Sequence, residues 1–422
     1  MLTYDLDKRG NKTMYEYLYE LIKEDIADGK LKADEKLPSK RGLSQHLQIS
    51  VKTVENAYEQ LLLEGYIRSE EKRGDYVNKI DVVTGGAPGY AAPVKRFQEE
   101  TYLADLTANN IRYDRFPFAT WAKVMRETLT DYNTSLLKTV PFNGVLQLRE
   151  AIADHLNRYR GMQVSADHII IGAGTEYLYN RLLQLLGPDV KFGVENPGYR
   201  KITKIYDENG VNWDYVNIDD KGMKVDELRM KDINVAHVSP EHHFPIGLVM
   251  PVARRQELLN WAAAEPGRYI IEDDFDCEFR MQGKPIPSIQ SRDRSHRVIY
   301  MNTFSKTMVP SLRIGYMALP EKLMEKYIST MNFYSCTVSG FEQYAMAAFI
   351  EKGYFERHIK RLVNDYRGRR EKICRMFRES RLSEISTIYQ DDAGTHFLLH
   401  VKTSLSDVEI KWAVRQKGIL IN

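Results

Sequence analysis

The chain has 422 residues, 43% of them hydrophobic and 28% charged, with a formal net charge of +2. That is enough for two or three globular domains, it speaks against a disordered chain, and the net charge says nothing about partners. Three widely spaced cysteines (Cys277, Cys336, Cys374) speak against a disulfide framework or a zinc site and for a reducing cytosol. The charged start from Met1 to Lys12 is unlike a signal peptide, and no run of about 18 apolar residues predicts a membrane span. The expectation is a cytoplasmic protein with no membrane partner.

Tyr15, Leu18, Tyr19, Ile22 and Ile26 share one face at helical spacing, which predicts a helix ending near Gly29. Ser39, after Leu37-Pro38, is placed to cap a short second helix that turns Leu43 and Leu47 inward. Ser50 is placed to cap a third, with Val54, Ala57 and Leu61 on its core side and Gly65 just past its end. Tyr66-Ile67-Arg68 and Tyr76-Val77 flank a charged turn from Glu70 to Gly74 and predict a hairpin. Three helices and a hairpin predict a winged helix-turn-helix over residues 1–80. Its third helix offers Lys52, Thr53 and Asn56 to a major groove, Lys40 and Arg41 open the second helix, and Arg73-Gly74 forms the wing tip. Residues 1–80 hold 14 Lys+Arg and 15 Asp+Glu, so a helical interaction module fits as well. Between Lys36 and Val54, however, lie Lys40, Arg41 and Lys52 and no acid, a local basic face of the kind that displaces counterions from DNA.

Leu37-Pro38-Ser39-Lys40-Arg41, Thr53-Val54-Glu55-Asn56-Ala57-Tyr58, Glu64-Gly65-Tyr66-Ile67 and Arg73-Gly74-Asp75-Tyr76-Val77 resemble the GntR-type winged helix, from about Tyr15 to Val77. The resemblance implies double-stranded operator DNA as a partner. That family often has arginine where this chain has Val51; Lys52 beside it is expected to take over base reading.

Residues 81–103, with Gly85-Gly86, Pro88-Gly89 and Ala91-Ala92-Pro93, lose all apolar periodicity and are expected to form a linker. From residue 104 to 422 apolar runs alternate with helical patterns, which predicts an α/β fold on a mostly parallel sheet, with ligands at the carboxyl ends of strands. His168 to Ile171 leads into Gly172-Ala173-Gly174-Thr175-Glu176 and a helix from Tyr177 to Leu186. That turn suits an anion, and without the third glycine of a dinucleotide fingerprint a single phosphate is favoured. Val190 to Val194 precedes Pro197-Gly198-Tyr199, whose ring can stack on a flat ligand or fill the core. Val235 to Val238 precedes His242-His243; adjacent side chains diverge, and no local acid–histidine spacing supports a metal. Tyr269-Ile270-Ile271 runs into Glu272-Asp273-Asp274-Phe275-Asp276, where buried acids need cationic partners: a pyridinium nitrogen at Asp273, or a metal if histidines were near. Val298 to Met301 leads to Thr303-Phe304-Ser305-Lys306 and then Arg313, an amine among hydroxyls with a guanidinium.

This order of features resembles fold-type I, class I/II aminotransferases over about Asp105 to Asn422, whose cofactor is pyridoxal 5′-phosphate (PLP). The resemblance implies that Lys306 holds the cofactor covalently, Asp273 pairs with its ring nitrogen and Tyr199 stacks on it. Gly174, Thr175 and Glu176, with Thr303, Ser305 and Arg313, would hold its phosphate. A GntR-type head on such a domain is the architecture of the MocR/GabR regulators. Glu272-Asp273-Asp274-Phe275-Asp276-Cys277-Glu278-Phe279, Thr303-Phe304-Ser305-Lys306 and Asn143-Gly144 with Leu148-Arg149-Glu150-Ala151-Ile152 fit that group. It usually has tyrosine at Phe275 and threonine at Ile246. It normally continues beyond the position of Asn422 and carries there the arginine for a substrate carboxylate. The resulting expectation is a homodimeric transcriptional regulator sensing an amine, an amino acid or PLP itself, with at most partial transamination. The alternative is a working aminotransferase with a DNA-binding head.

Overall fold

The structure is a computed structural model that describes residues 2–80, 101–107, 112–281, 286–389 and 394–421. The chain divides into two compact units, Met1–Glu99 and Glu100–Asn422. Most of the expected linker, residues 81–100, lies outside the described residues.

The first unit contains α1 (Met14–Ala27), α2 (Lys40–Leu47), α3 (Val51–Leu63), β1 (Ile67–Glu70) and β2 (Gly74–Val77). Its helix boundaries follow from their caps. Ser39 Oγ accepts from Gly42 N and Ser50 Oγ from Thr53 N, and Gly65 follows α3 at φ +76°. Leu18, Ile22, Leu43, Val54, Ala57, Tyr58 and Leu61 close one core. Tyr15 and Tyr19, expected on the same face as Leu18, sit half-buried at its margin. β1 and β2 pair antiparallel, Ile67 opposite Val77 and Glu70 opposite Gly74.

The second unit begins with β3 (Ala104–Asp105), α4 (Phe118–Asp131), α5 (Asn133–Leu136), α6 (Leu146–Arg160), β4 (Ile169–Gly172), α7 (Thr175–Leu186), β5 (Lys191–Asn196) and α8 (Arg200–Glu208). There follow β6 (Asn212–Asp219), β7 (Gly222–Met223), α9 (Val225–Met230), β8 (Val235–Val238), α10 (Val252–Ala264), β9 (Tyr269–Asp273), β10 (Val298–Thr303) and β11 (Gly315–Ala318). The chain closes with α11 (Glu321–Met331), α12 (Gly340–Glu351), α13 (Tyr354–Arg378), α14 (Leu382–Ile385), β12 (Ser386–Tyr389), β13 (Leu398–Val401), α15 (Asp407–Gln416) and β14 (Ile419–Leu420).

One sheet has the order β4-β11-β10-β9-β8-β5-β6-β7. Its strands read as continuous apolar runs because both faces are covered. Ile169 and Ile171 pack with Leu148, Ile152 and Phe349 on one side, whereas Ile170 packs with Leu178 and Leu182 on the other. β4, β10, β9, β8, β5 and β6 run in one direction; β11 pairs antiparallel with both β10 and β4. β11 therefore starts at the edge where its neighbours end. That reversal brings Arg313, just before β11, to the same edge as the loops after β4, β9 and β10. Among the described residues, no helix is long and apolar enough to cross a membrane.

Candidate functional site

In the winged unit, the residues expected to meet DNA lie on α2, α3 and the wing. Arg41 and Lys52 are exposed, while Lys40, Thr53 and Asn56 are half-buried. Lys52 Nζ lies 3.7 Å from Glu55, a weak exposed pair that a phosphate can displace. The Thr53 hydroxyl is 2.8 Å from Ser50 Oγ, so it also serves the helix cap. At the wing tip Arg73 reaches Glu70 at 3.5 Å, and Gly74 takes φ +115°, a conformation that a side chain would strain.

In the second unit, the strand ends gather a different chemistry. Thr303, Gly315 and Gly172 lie side by side in register across β10, β11 and β4. Gly174 caps α7 at φ +86°, and a β-carbon there would lie 2.7 Å from Arg313 Nη2, so glycine is required twice over. The first N–H groups of α7 have no partner within the helix and carry the positive end of its dipole, an anion cradle. Arg313 reaches it in a left-handed conformation (φ +50°) and donates from Nη2 to Ala173 O at 3.2 Å and Glu176 at 2.9 Å. Glu176 also pairs with Lys201; that lysine, with Arg313, holds its carboxyl below the ordinary range. On the other flank Thr303 Oγ1 and Ser305 Oγ are 2.9 Å apart.

The four acids at the end of β9 and just beyond it have separate partners. Glu272, fully buried, accepts from the backbone of Ile289 at 2.7 Å and Gln290 at 3.0 Å; burial pushes its carboxyl up to about 7. Asp274 accepts from Tyr300 at 2.7 Å and Arg160 at 2.8 Å. Asp276 meets His242 at 2.9 Å. Asp273 accepts from the Tyr179 hydroxyl at 2.5 Å on Oδ2, while its buried Oδ1 has no hydrogen-bond partner among the described residues. Behind it, His237 Nε2 stands 3.7 Å from Oδ2, and His237 Nδ1 is 2.8 Å from the Tyr206 hydroxyl. Burial, reinforced by Asp273, holds both phenols well above the ordinary tyrosine range, so both remain donors. The direction of the Tyr206–His237 bond follows the imidazole tautomer, and His237 Nε2 has no hydrogen-bond partner among the described residues.

Met301 is opposite Asp273 in the β10–β9 ladder, so the Lys306 loop and the Asp273 carboxylate leave adjacent strands. Burial lowers the proton affinity of Lys306, opposed by the nearby charge of Asp276. Tyr199 caps α8, and its ring packs edge-on against Phe244 at 5.5 Å. Phe275 is half-buried in the turn after β9. The residues therefore fit a flat, anionic, carbonyl-bearing cofactor: an anion cradle, an unpartnered buried carboxylate oxygen and an amine of lowered proton affinity. Sequence reasoning missed Tyr179, His237 and Tyr206, which carry no local motif.

Residues 102–421 match the family described as Aminotransferase class I and II, and residues 14–77 match the bacterial regulatory proteins of the gntR family. An HTH-type transcriptional regulator designated YdeL from Bacillus subtilis (strain 168) is 36% identical, covering 97% of this chain and 88% of its own. A probable rhizopine catabolism regulatory protein, MocR, from Rhizobium meliloti is 30% identical, covering 97% and 86% respectively. Among solved structures, a multiple substrate aminotransferase from Thermococcus profundus superimposes with a TM-score of 0.68 at 25% identity, covering 76% of this chain and 82% of that one.

Proposed function

The chain belongs to the MocR-type regulators, a gntR-family head followed by a class I and II aminotransferase domain, and from that premise we propose a transcriptional regulator that binds PLP at Lys306 and reads an amine or amino acid through it. The observation that carries this reading is the convergence at one sheet edge of the α7 cradle, Arg313, Asp273 and Lys306. Bound PLP supplies a carbonyl that reacts with amines and an electron-withdrawing ring. The chain's own residues do the rest. Gly174, Thr175 and Glu176 offer backbone N–H groups at the start of α7, and Arg313 adds charge, to hold a phosphate. A phosphate there competes with Glu176 for Arg313, so binding remodels an existing ion pair. Asp273 Oδ1 accepts a ring N–H, and Tyr179 keeps that carboxylate in place. Thr303 and Ser305 line the other side, Tyr199 and Phe275 flank the ring, and Lys306 Nζ holds or releases a proton beside it.

The winged unit binds operator DNA through Lys40, Arg41, Lys52, Thr53, Asn56 and the wing residues Arg73 and Gly74. We read the assembly as a cytoplasmic homodimer in which effector binding favours one spacing of the two heads. The test is fluorescence anisotropy on the DNA upstream of this gene, with and without PLP and a panel of amines and amino acids. One of these compounds should change DNA affinity in the wild type, and Lys306→Ala should bind DNA yet lose the response. A response that survives in Lys306→Ala would remove the cofactor site from signalling.

The lowered proton affinity of Lys306 also favours a second reading, a working aminotransferase. Steady, multiple-turnover keto-acid formation from any amino acid of the panel would establish it; Phe275 argues for at most slow turnover.

A further inference from the structure

Beside the lysine stands a cluster that neither DNA binding nor cofactor binding uses. His242 follows β8, Asp276 follows β9 and His396 precedes β13. One ligand-type atom from each lies within 4.8 Å of the other two. His242 and Asp276 are each 3% exposed, and the rings of His242 and His396 lie 4.4 Å apart. Nδ1 of His242 is 2.9 Å from Asp276 Oδ2, yet Nε2 of His242 and Nε2 of His396 are buried without a hydrogen-bond partner among the described residues. A buried polar atom left unpaired is costly, and each of the two imidazoles has one. The neighbouring Glu241 is accounted for otherwise, with Arg160, Arg255 and Arg280 at 3.5, 3.7 and 4.0 Å.

We propose that His242, Asp276 and His396 form a binding site for a divalent transition-metal ion of the zinc type. Two imidazoles and a carboxylate are a ligand set that zinc accepts with a fourth position left for water or another ligand. Bonds of about 2.0–2.2 Å set tetrahedral ligand atoms about 3.3 Å apart, so ligand atoms at the 4.8 Å limit must close by roughly 1.5 Å, whereas His242 and Asp276 already lie 2.9 Å apart. His396, half-buried where the other two are fully buried, is the side chain with room to move. Gly394 belongs to the same construction: a β-carbon there would lie 1.9 Å from His242, so the backbone packs directly on that ring.

The test is equilibrium dialysis of the full-length chain against zinc chloride, with bound metal measured by elemental analysis and cobalt(II) absorption as an independent report of four-coordination. The wild type should retain one zinc per chain. His242→Ala, Asp276→Asn and His396→Ala should each lose tenfold or more in affinity, while His400→Ala, at an exposed histidine outside the cluster, should bind as the wild type does. His396→Ala decides the matter even if a fully buried variant fails to fold. No zinc retained by the wild type, or equal retention in a folded His396→Ala protein, overturns the proposal.

Discussion

Tyr179 donates a 2.5 Å hydrogen bond to one oxygen of Asp273 and leaves the other, buried Oδ1, without a hydrogen-bond partner among the described residues. A carboxylate held on one side and open on the other is built to receive a donor, and the expected donor is the ring nitrogen of PLP. A hydrogen bond to a charged group contributes about 1.5–3 kcal/mol, so Asp273→Asn should weaken PLP binding roughly tenfold to a hundredfold. Tyr179→Phe removes only the positioning bond and should cost less, about fivefold. Absorbance titration with PLP measures both. Equal affinity in Asp273→Asn and wild type would mean that Asp273 does not face the ring.

Lys306 gives a sharper signature. Its burial lowers its proton affinity, so the neutral, nucleophilic amine is present at lower pH than for an exposed lysine. The rate of PLP attachment should rise with pH to a midpoint below the 10.5 of an ordinary lysine. Borohydride treatment should fix the cofactor to a peptide containing Lys306, and Lys306→Ala should show no such adduct. A midpoint at or above the ordinary value would contradict the buried setting.

The sheet edge was largely legible from the chain because apolar runs buried on both faces mark parallel strands, and polar residues that end such runs must sit at a strand terminus. Thus Gly174, Asp273 and Lys306 could be located by sequence alone. The partners of Asp273 could not. Tyr179 and His237 reach it from α7 and β8, and only the strand order decides that these elements are its neighbours. The same holds for Asp276, His242 and His396, which come from three separate segments. Adjacent His242 and His243 looked unpromising as a pair because their side chains diverge; His243 turns to Glu195 at 3.5 Å while His242 turns to Asp276.

Gly174 tests the anion cradle. Its φ of +86° disfavours any β-carbon, and that carbon would lie 2.7 Å from Arg313 Nη2. Gly174→Ala should therefore displace Arg313, lower stability by about 1–3 kcal/mol and weaken PLP binding about tenfold. Chemical denaturation and PLP titration separate the two effects. Unchanged binding of PLP, and of inorganic phosphate as a competitor, would remove Arg313 from the cradle.

Glu195 sets a pH dependence of known sign. It is 5% exposed, accepts from Ser239 N at 3.1 Å, and burial pushes its carboxyl up to about 8 from 4.5. The folded state therefore binds a proton that the unfolded state has released. This contribution is complete below the unfolded value and is lost as pH rises toward about 8, with a slope of at most about 1.4 kcal/mol per pH unit. Glu195→Gln keeps a neutral group of the same shape, so its stability relative to wild type should improve as pH rises from about 6 to about 8. Parallel pH profiles from urea denaturation would show that the carboxyl is ionised throughout.

Arg41 and Lys52 test the groove assignment. Both side chains are exposed, and no ion pair to Arg41 exists among the described residues. A lysine or arginine on a DNA phosphate releases counterions, so removing one contact should reduce the slope of log affinity against log salt by about 0.9. Lys52→Ala and Arg41→Ala should each weaken binding to the upstream DNA, and the salt slope distinguishes their contacts. A phosphate contact lowers the slope and weakens all sequences alike. A base contact costs about 1–3 kcal/mol on the operator alone and leaves non-specific binding nearly unchanged. With Val51 apolar at the start of α3, Lys52 is expected to behave as the base reader and Arg41 as the phosphate contact. The reverse pattern would exchange their roles, and wild-type binding by both variants would mean that the groove is met by another face. PLP titration should be unchanged in both, because neither substitution lies in the second unit.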